Sequence, residues 1–314
     1  MDSDSITTAL DYNSISNFTT RSDCKGLAII TGSSSGMGRA FALRAASYGM
    51  TVIGMDLKID LSLEQECIAN GASNCSTYKC DVSSYENVSS IAKTVLAKYD
   101  TLPISLICAN AGYGGPQLLS GTPKAIQKQI DVLTNGIIWT VKAFQEKFLK
   151  QPEPCAIVGT SSLAGLFPAG GSYGVGKHGA VATMESFYSE IKAMNLKHTI
   201  SCHVLCPGIV ATGITSSNLT ELRGAQLSIQ EAKQELKRMV GKELMKTAFG
   251  LAFRIVLEEH GMKSDYAADT IFDAIEKGTF YLLMDHPDAR YSTNASTSVG
   301  LRHRRLEIGA PPPT

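Results

Sequence analysis

The chain has 314 residues, 44% of them hydrophobic and 18% charged, a composition that can bury a sizeable core and excludes a disordered polymer. Lys and Arg together number 29, as do Asp and Glu, so no charge excess points to nucleic acid or an anionic membrane as partner. A small-molecule partner is expected instead.

The opening stretch, Met1 to Thr20, is rich in Ser, Thr, Asp and Asn and has no Lys or Arg, which fits neither a signal nor a transit peptide. Residues 1–23 read as a disordered extension. No apolar run reaches the roughly 18 residues that suggest a membrane span, so a cytoplasmic protein is expected. The eight cysteines then read as reduced small hydrophobes. Cys75 with Cys80 and Cys202 with Cys206 come nearest to ligand pairs, but neither has metal-ligand spacing, and no metal is expected.

From Leu27 onward, short apolar runs alternate with stretches of helical period. The expected strands are Leu27 to Ile30, Thr51 to Met55, Ser76 to Lys79, Ile104 to Cys108, Ala156 to Gly159, Ser201 to Leu205 and Thr279 to Met284. Amphipathic segments such as Arg39 to Tyr48, Val88 to Lys98, Pro123 to Lys150 and Tyr173 to Met194 lie between them, each long enough for a crossover helix. About seven strands joined this way predict a doubly wound parallel α/β sheet of the Rossmann type with helices on both faces. It forms one domain over 24–288, with added helices near the ligand over about 213–265 and a mobile tail over 289–314.

After the first strand comes Thr31-Gly32-Ser33-Ser34-Ser35-Gly36-Met37-Gly38, leading into a helix. Glycines there permit a tight turn and let a pyrophosphate approach the helix N-terminus, whose free N–H groups carry positive partial charge. Asp56 closes the second strand, where a carboxylate can accept hydrogen bonds from an adenosine ribose and repel a 2′-phosphate. This favours NAD, with NADP left open because Lys58 stands two residues on.

With these motifs the chain resembles the classical short-chain dehydrogenase/reductase family, whose glycine motif is TGxxxGxG. Asp81-Val82 resembles its adenine-contacting pair, and Ala109-Asn110-Ala111-Gly112 its NNAG with the first Asn replaced. Ser161-Ser162 follows the fifth strand, Tyr173-Gly174-Val175-Gly176-Lys177 matches YxxxK, and Pro207 to Thr212 resembles the segment beside the nicotinamide, with Val210 and Thr212 as cofactor contacts. The resemblance implies a homodimer or homotetramer, and it runs from Lys25 to about Met284.

The residues themselves argue the chemistry, since taking hydride from a carbinol carbon requires a base for its hydroxyl proton. Tyr173 is the candidate; its phenol, with an ordinary pKa of about 10, needs nearby positive charge. Lys177 supplies it from the same helical face, four residues on. Ser162, the second of its pair, would orient the substrate oxygen. These readings predict an NAD(P)-dependent oxidoreductase interconverting a secondary alcohol and its ketone. An epimerase or dehydratase relative is disfavoured because its TGxxGxxG spacing is absent.

One departure supports a different class, a nicotinamide-binding regulatory protein or redox sensor without turnover. The family's fourth helix usually carries Asn three residues before a Gly, supporting a proton relay to the lysine, whereas Gly136 has Leu133 at that spacing. Asn135 lies two positions away, a rotation of about 200° on a regular helix, and could serve only if the helix is irregular. His178, His198 and His203 form no metal or triad spacing, and His203 reads as a satisfied strand residue.

Overall fold

A computed structural model describes residues 18–22, 25–167, 170–212 and 261–284, with scattered positions between 228 and 260. Most of the expected insertion over 213–265, the tail over 289–314 and residues 1–17 lie outside the described residues.

The strands are β1 (Leu27–Thr31), β2 (Thr51–Asp56), β3 (Asn74–Lys79), β4 (Ile104–Ala109), β5 (Cys155–Thr160), β6 (Ile200–Pro207) and β7 (Tyr281–Met284). All seven match expected runs, with boundaries moved by no more than two residues. They form one parallel sheet in the order β3-β2-β1-β4-β5-β6-β7. Every residue of β1, β4, β5 and β6 is buried, as it must be in a parallel sheet covered on both faces, and this is why these strands read as apolar runs without alternation. Edge strand β3, Asn-Cys-Ser-Thr-Tyr-Lys, is correspondingly the most polar.

Among the described residues the helices with defined bounds are α1 (Gly36–Ser47), α2 (Leu61–Ala69), α3 (Tyr85–Lys98), α4 (Pro123–Ile130), α5 (Gly136–Lys150), α6 (Gly171–Ala193) and α7 (Ser264–Lys277). Buried side chains of α3, α5 and α6, among them Val88, Phe144 and Met184, cover one face of the sheet. Phe41 of α1, Leu63 of α2 and Ile271 of α7 belong to the core on the other face. Helix α2 was not among the expected elements; Asp60 caps it, its side chain accepting the Ser62 N–H. The stretch expected as one helix over Pro123 to Lys150 is instead α4 and α5 joined by a π-helical turn, Asp131–Asn135.

The N-terminal reading needs correction from Phe18 onward. Phe18 is buried against Phe272 of α7, and Thr19 Oγ1 donates to Glu276 at 2.7 Å, so this part of the extension is docked by apolar burial and a charge-assisted bond.

His203 of β6 is fully buried between the Thr279 carbonyl, 2.7 Å from Nδ1, and Ser201 Oγ, 2.9 Å from Nε2. A carbonyl only accepts, so Nδ1 carries the proton and Nε2 receives the Ser201 hydroxyl. Burial pushes the imidazole pKa down to about 4, against the opposing pull of the Thr279 carbonyl. Between pH 6.5 and 4 the unfolded chain therefore binds a proton that the folded chain refuses, and stability falls as pH falls through that window, by on the order of 3 kcal/mol. Urea unfolding at pH 7 and pH 4.5 is expected to show a smaller loss in His203→Gln than in the wild type. Equal losses would remove His203 as the cause.

Candidate active site

In a doubly wound sheet, ligands bind at the carboxyl ends of the strands, beside the point where strand order reverses. Here that point lies between β1 and β4. Of the cofactor-binding residues expected from the sequence, Gly32 to Gly38, Asp56, Asp81, Val82 and Asn110 end or follow β1 to β4, Val210 and Thr212 follow β6, and Tyr173 and Lys177 lie on α6. Gly32 and Gly36 have positive φ, 69° and 53°, which a side chain would strain. A Cβ on Gly38 would run into the Gly32 carbonyl oxygen. The backbone is thus folded tightly over Ser35, Gly36, Met37 and Gly38, and Ser35 leaves the α1 N-terminus without a side-chain cap.

Asp56 accepts the Ser34 N–H at 3.0 Å and the Lys58 N–H at 3.2 Å, which fixes its carboxylate beside the glycine turn. It is the Lys58 backbone, not its ammonium, that meets this carboxylate. On the adjacent strand end, Asp81 pairs with Lys128 at 2.7 Å and accepts from Ser83, while buried Val82 packs on Gly136. Asn110 is held by Thr31: its N–H donates to Thr31 Oγ1 at 2.9 Å and its Nδ2 to the Thr31 carbonyl at 3.1 Å. The Thr212 methyl lies 3.2 Å from where a Gly36 Cβ would be, and Val210 is buried and bridged to Met262, so the segment after β6 closes against the glycine turn.

These residues fit a dinucleotide. The glycine cradle leaves no room for side chains, the uncapped helix end offers free N–H groups, and buried Asn110 Oδ1 has no protein partner.

Tyr173 and Lys177 lie in the first two turns of α6. Lys177 is 3% exposed, its Nζ donates to the Thr160 carbonyl at 2.8 Å, and it stands 5.7 Å from the centre of the Tyr173 ring. Burial pushes its pKa down to about 8, and burial pushes the Tyr173 phenol up to about 12 against a hydrogen bond with Ser162. The two serines are divided by their partners: Ser161 Oγ donates to the Lys177 carbonyl at 2.7 Å, whereas Ser162 is the one that meets Tyr173. Ser162 Oγ also lies 3.2 Å from the Pro207 carbonyl and accepts the Ala164 N–H.

The fourth-helix departure takes an unexpected form. The helix is irregular there, yet Asn135 does not take the missing role, because its Nδ2 donates to Asp131 Oδ1 at 2.9 Å. Leu133 stays buried beside Gly112 and Gly176, filling the space next to Lys177 with hydrocarbon. Sequence reasoning also missed Thr31 and Thr160, which hold Asn110 and Lys177. Thr31 opens the glycine motif, a usable signal, but Thr160 acts through its carbonyl, which no residue type reveals.

A family model described as short chain dehydrogenase matches residues 26–223. The chain belongs to the short chain dehydrogenase family. Retinol dehydrogenase 10-B of Danio rerio is 32% identical over 210 residues, covering 59% of this chain and 61% of that protein. L-rhamnose-1-dehydrogenase of Scheffersomyces stipitis is 28% identical over 202 residues, covering 61% and 75%. The match thus spans about three fifths of the retinol relative's length. Among solved structures, a short chain dehydrogenase/reductase from Burkholderia phymatum in complex with NAD is 26% identical with a TM-score of 0.70, covering 92% of this chain and 96% of that one. As a short chain dehydrogenase the chain has the Rossmann-like fold expected of it. Among its described residues no helix is long and apolar enough to cross a membrane, and no group of three or more His, Cys, Asp or Glu is placed to hold a metal.

Proposed function

We propose that this chain is an NAD(P)-dependent oxidoreductase that interconverts a secondary alcohol, or a related hydroxyl compound, and its carbonyl form. The observation that carries this is the convergence of Ser162, Tyr173 and Lys177 beside the glycine cradle. A bound nicotinamide would supply the hydride acceptor or donor and, when oxidised, a positive charge.

The chain's own part is to handle the proton and hold the substrate. With its pKa pushed up to about 12, the Tyr173 phenol is protonated at neutral pH, the form that delivers a proton to a carbonyl oxygen. In the direction of oxidation it must give that proton up first, and the Lys177 ammonium across its ring stabilises the phenolate. Ser162, placed beside Tyr173, turns its hydroxyl from the Pro207 carbonyl to the substrate oxygen and keeps that oxygen within reach of the phenol. Lys177 is fixed by the Thr160 carbonyl and shut off from bulk water by Leu133.

The Asp56 carboxylate supports NAD over NADP, because its charge would repel a 2′-phosphate. The names of the two relatives, one for retinol and one for rhamnose, span unlike alcohols, so they support the reaction class rather than a substrate. A cytoplasmic homodimer or homotetramer without nucleic-acid or membrane partners completes the proposal, supported by the balanced charge. The second reading, a cofactor-binding regulator without turnover, is favoured by Leu133 alone; the Ser162, Tyr173 and Lys177 arrangement opposes it.

Calorimetric titration with NADH and NADPH, followed by a fluorescence screen of alcohols and ketones, tests the proposal. Tighter binding of NADH and turnover of at least one compound are expected. Binding without turnover across the screen would favour the regulator, and binding of neither cofactor would overturn both readings.

A further inference from the structure

Gln129 is fully buried, the one buried residue of α4, on a helix whose other positions face outward at least in part. An amide taken from water without partners is costly, so its bonds should show what it is for. Its Nε2 donates to the Tyr113 carbonyl at 2.7 Å, and its Oε1 lies 2.7 Å from Ser172 Oγ. The Ser172 hydroxyl also stands 2.9 Å from the Pro116 carbonyl, but the Ser172 N–H already serves that oxygen at 3.0 Å. The single hydroxyl proton can go to either oxygen, and Gln129 Oε1 is the nearer acceptor. A Cβ on Gly115 would coincide with the Gln129 amide, so the loop is shaped to admit it.

One side chain thus joins the loop after β4 to the first turn of α6 at the residue immediately before Tyr173. We infer that Gln129 is a positioning residue that sets the distance between Tyr173 and the Tyr113–Pro116 segment, which follows the ligand-facing carboxyl end of β4, and through it the fit of the substrate. This rests on the proposed activity. Gln129 touches neither Tyr173 nor the glycine cradle in any bond described above, so its effect should fall on the substrate and spare the cofactor.

The test measures substrate KM, kcat, NADH Kd, melting temperature and amide exchange of residues 113–119 in wild type, Gln129→Leu and Gln129→Glu. The glutamate keeps the acceptor for Ser172 and loses the donor to Tyr113. Gln129→Leu is expected to raise KM about tenfold, the scale of one lost buried hydrogen bond, with NADH Kd and kcat within about threefold and exchange in 113–119 accelerated. Gln129→Glu should fall between it and the wild type. Should Gln129→Leu fail to fold, Ser172→Ala removes the hydroxyl contacts with Gln129 and Pro116 while the Ser172 N–H keeps the Pro116 carbonyl, and the same direction of change is expected. Unchanged KM and unchanged exchange in a folded variant, or a loss of melting temperature alone, would overturn the inference. If the wild type turned over nothing, the activity would fail instead, and the exchange data would still decide whether Gln129 tethers the loop.

Discussion

Replacing Tyr173 with Phe is expected to lower kcat by about 10³-fold while leaving NADH Kd within about threefold, because the substitution removes only the group that carries the proton. The ring stays under the Lys177 ammonium, 5.7 Å from its centre, and the helix keeps its packing. Only the phenolic hydroxyl beside Ser162 is lost. Pre-steady-state measurement at saturating cofactor checks the result. A kcat within tenfold of the wild type would mean that another group moves the proton. Ser162 and Lys177 would then be a structural pair.

Asp56→Asn is expected to shift the ratio of NADPH to NADH affinity towards NADPH by about 10–100-fold, since like charges brought together cost several kcal/mol. The Ser34 and Lys58 N–H groups meet different carboxylate oxygens, Oδ2 at 3.0 Å and Oδ1 at 3.2 Å, so the amide keeps an acceptor for only one of them. With the amide oxygen on the Ser34 side the bond to the glycine turn is kept, the exposed Lys58 N–H turns to water, and the change in cofactor preference reports chiefly the lost charge. Titrations of both cofactors into both proteins measure it. An unchanged ratio would mean that Asp56 serves the turn and does not read the ribose.

Much of this architecture is legible in the sequence because the physics is local. The inner strands are buried on both faces, so each reads as an unbroken apolar run between turn residues, as Leu27 to Thr31 does. The glycine motif is legible for the same reason: Gly32, Gly36 and Gly38 meet steric demands that other residues cannot. The π-helical turn at Asp131–Asn135 is not legible, since it follows from how Leu133 and Thr134 dock against Gly176 and Gly179 of a distant helix. Gln129 is invisible likewise. On the sequence it is one polar residue in a polar helix, and its burial depends on Gly115 and Ser172 from two other segments. Phe18, within a stretch of Ser, Thr and Asn, was masked by its neighbours although its ring finds Phe272.

If hydride passes between a carbinol carbon and a nicotinamide held at this sheet edge, an isotope on that carbon must pass with it. Incubating the protein with NAD and a panel of secondary alcohols deuterated at the carbinol carbon, and reading the reduced cofactor by mass spectrometry, tests it most directly. NADH carrying one deuterium is expected in the wild type, and far less of it in Tyr173→Phe. Cofactor that binds and is never reduced, or reduced cofactor without deuterium, would contradict it.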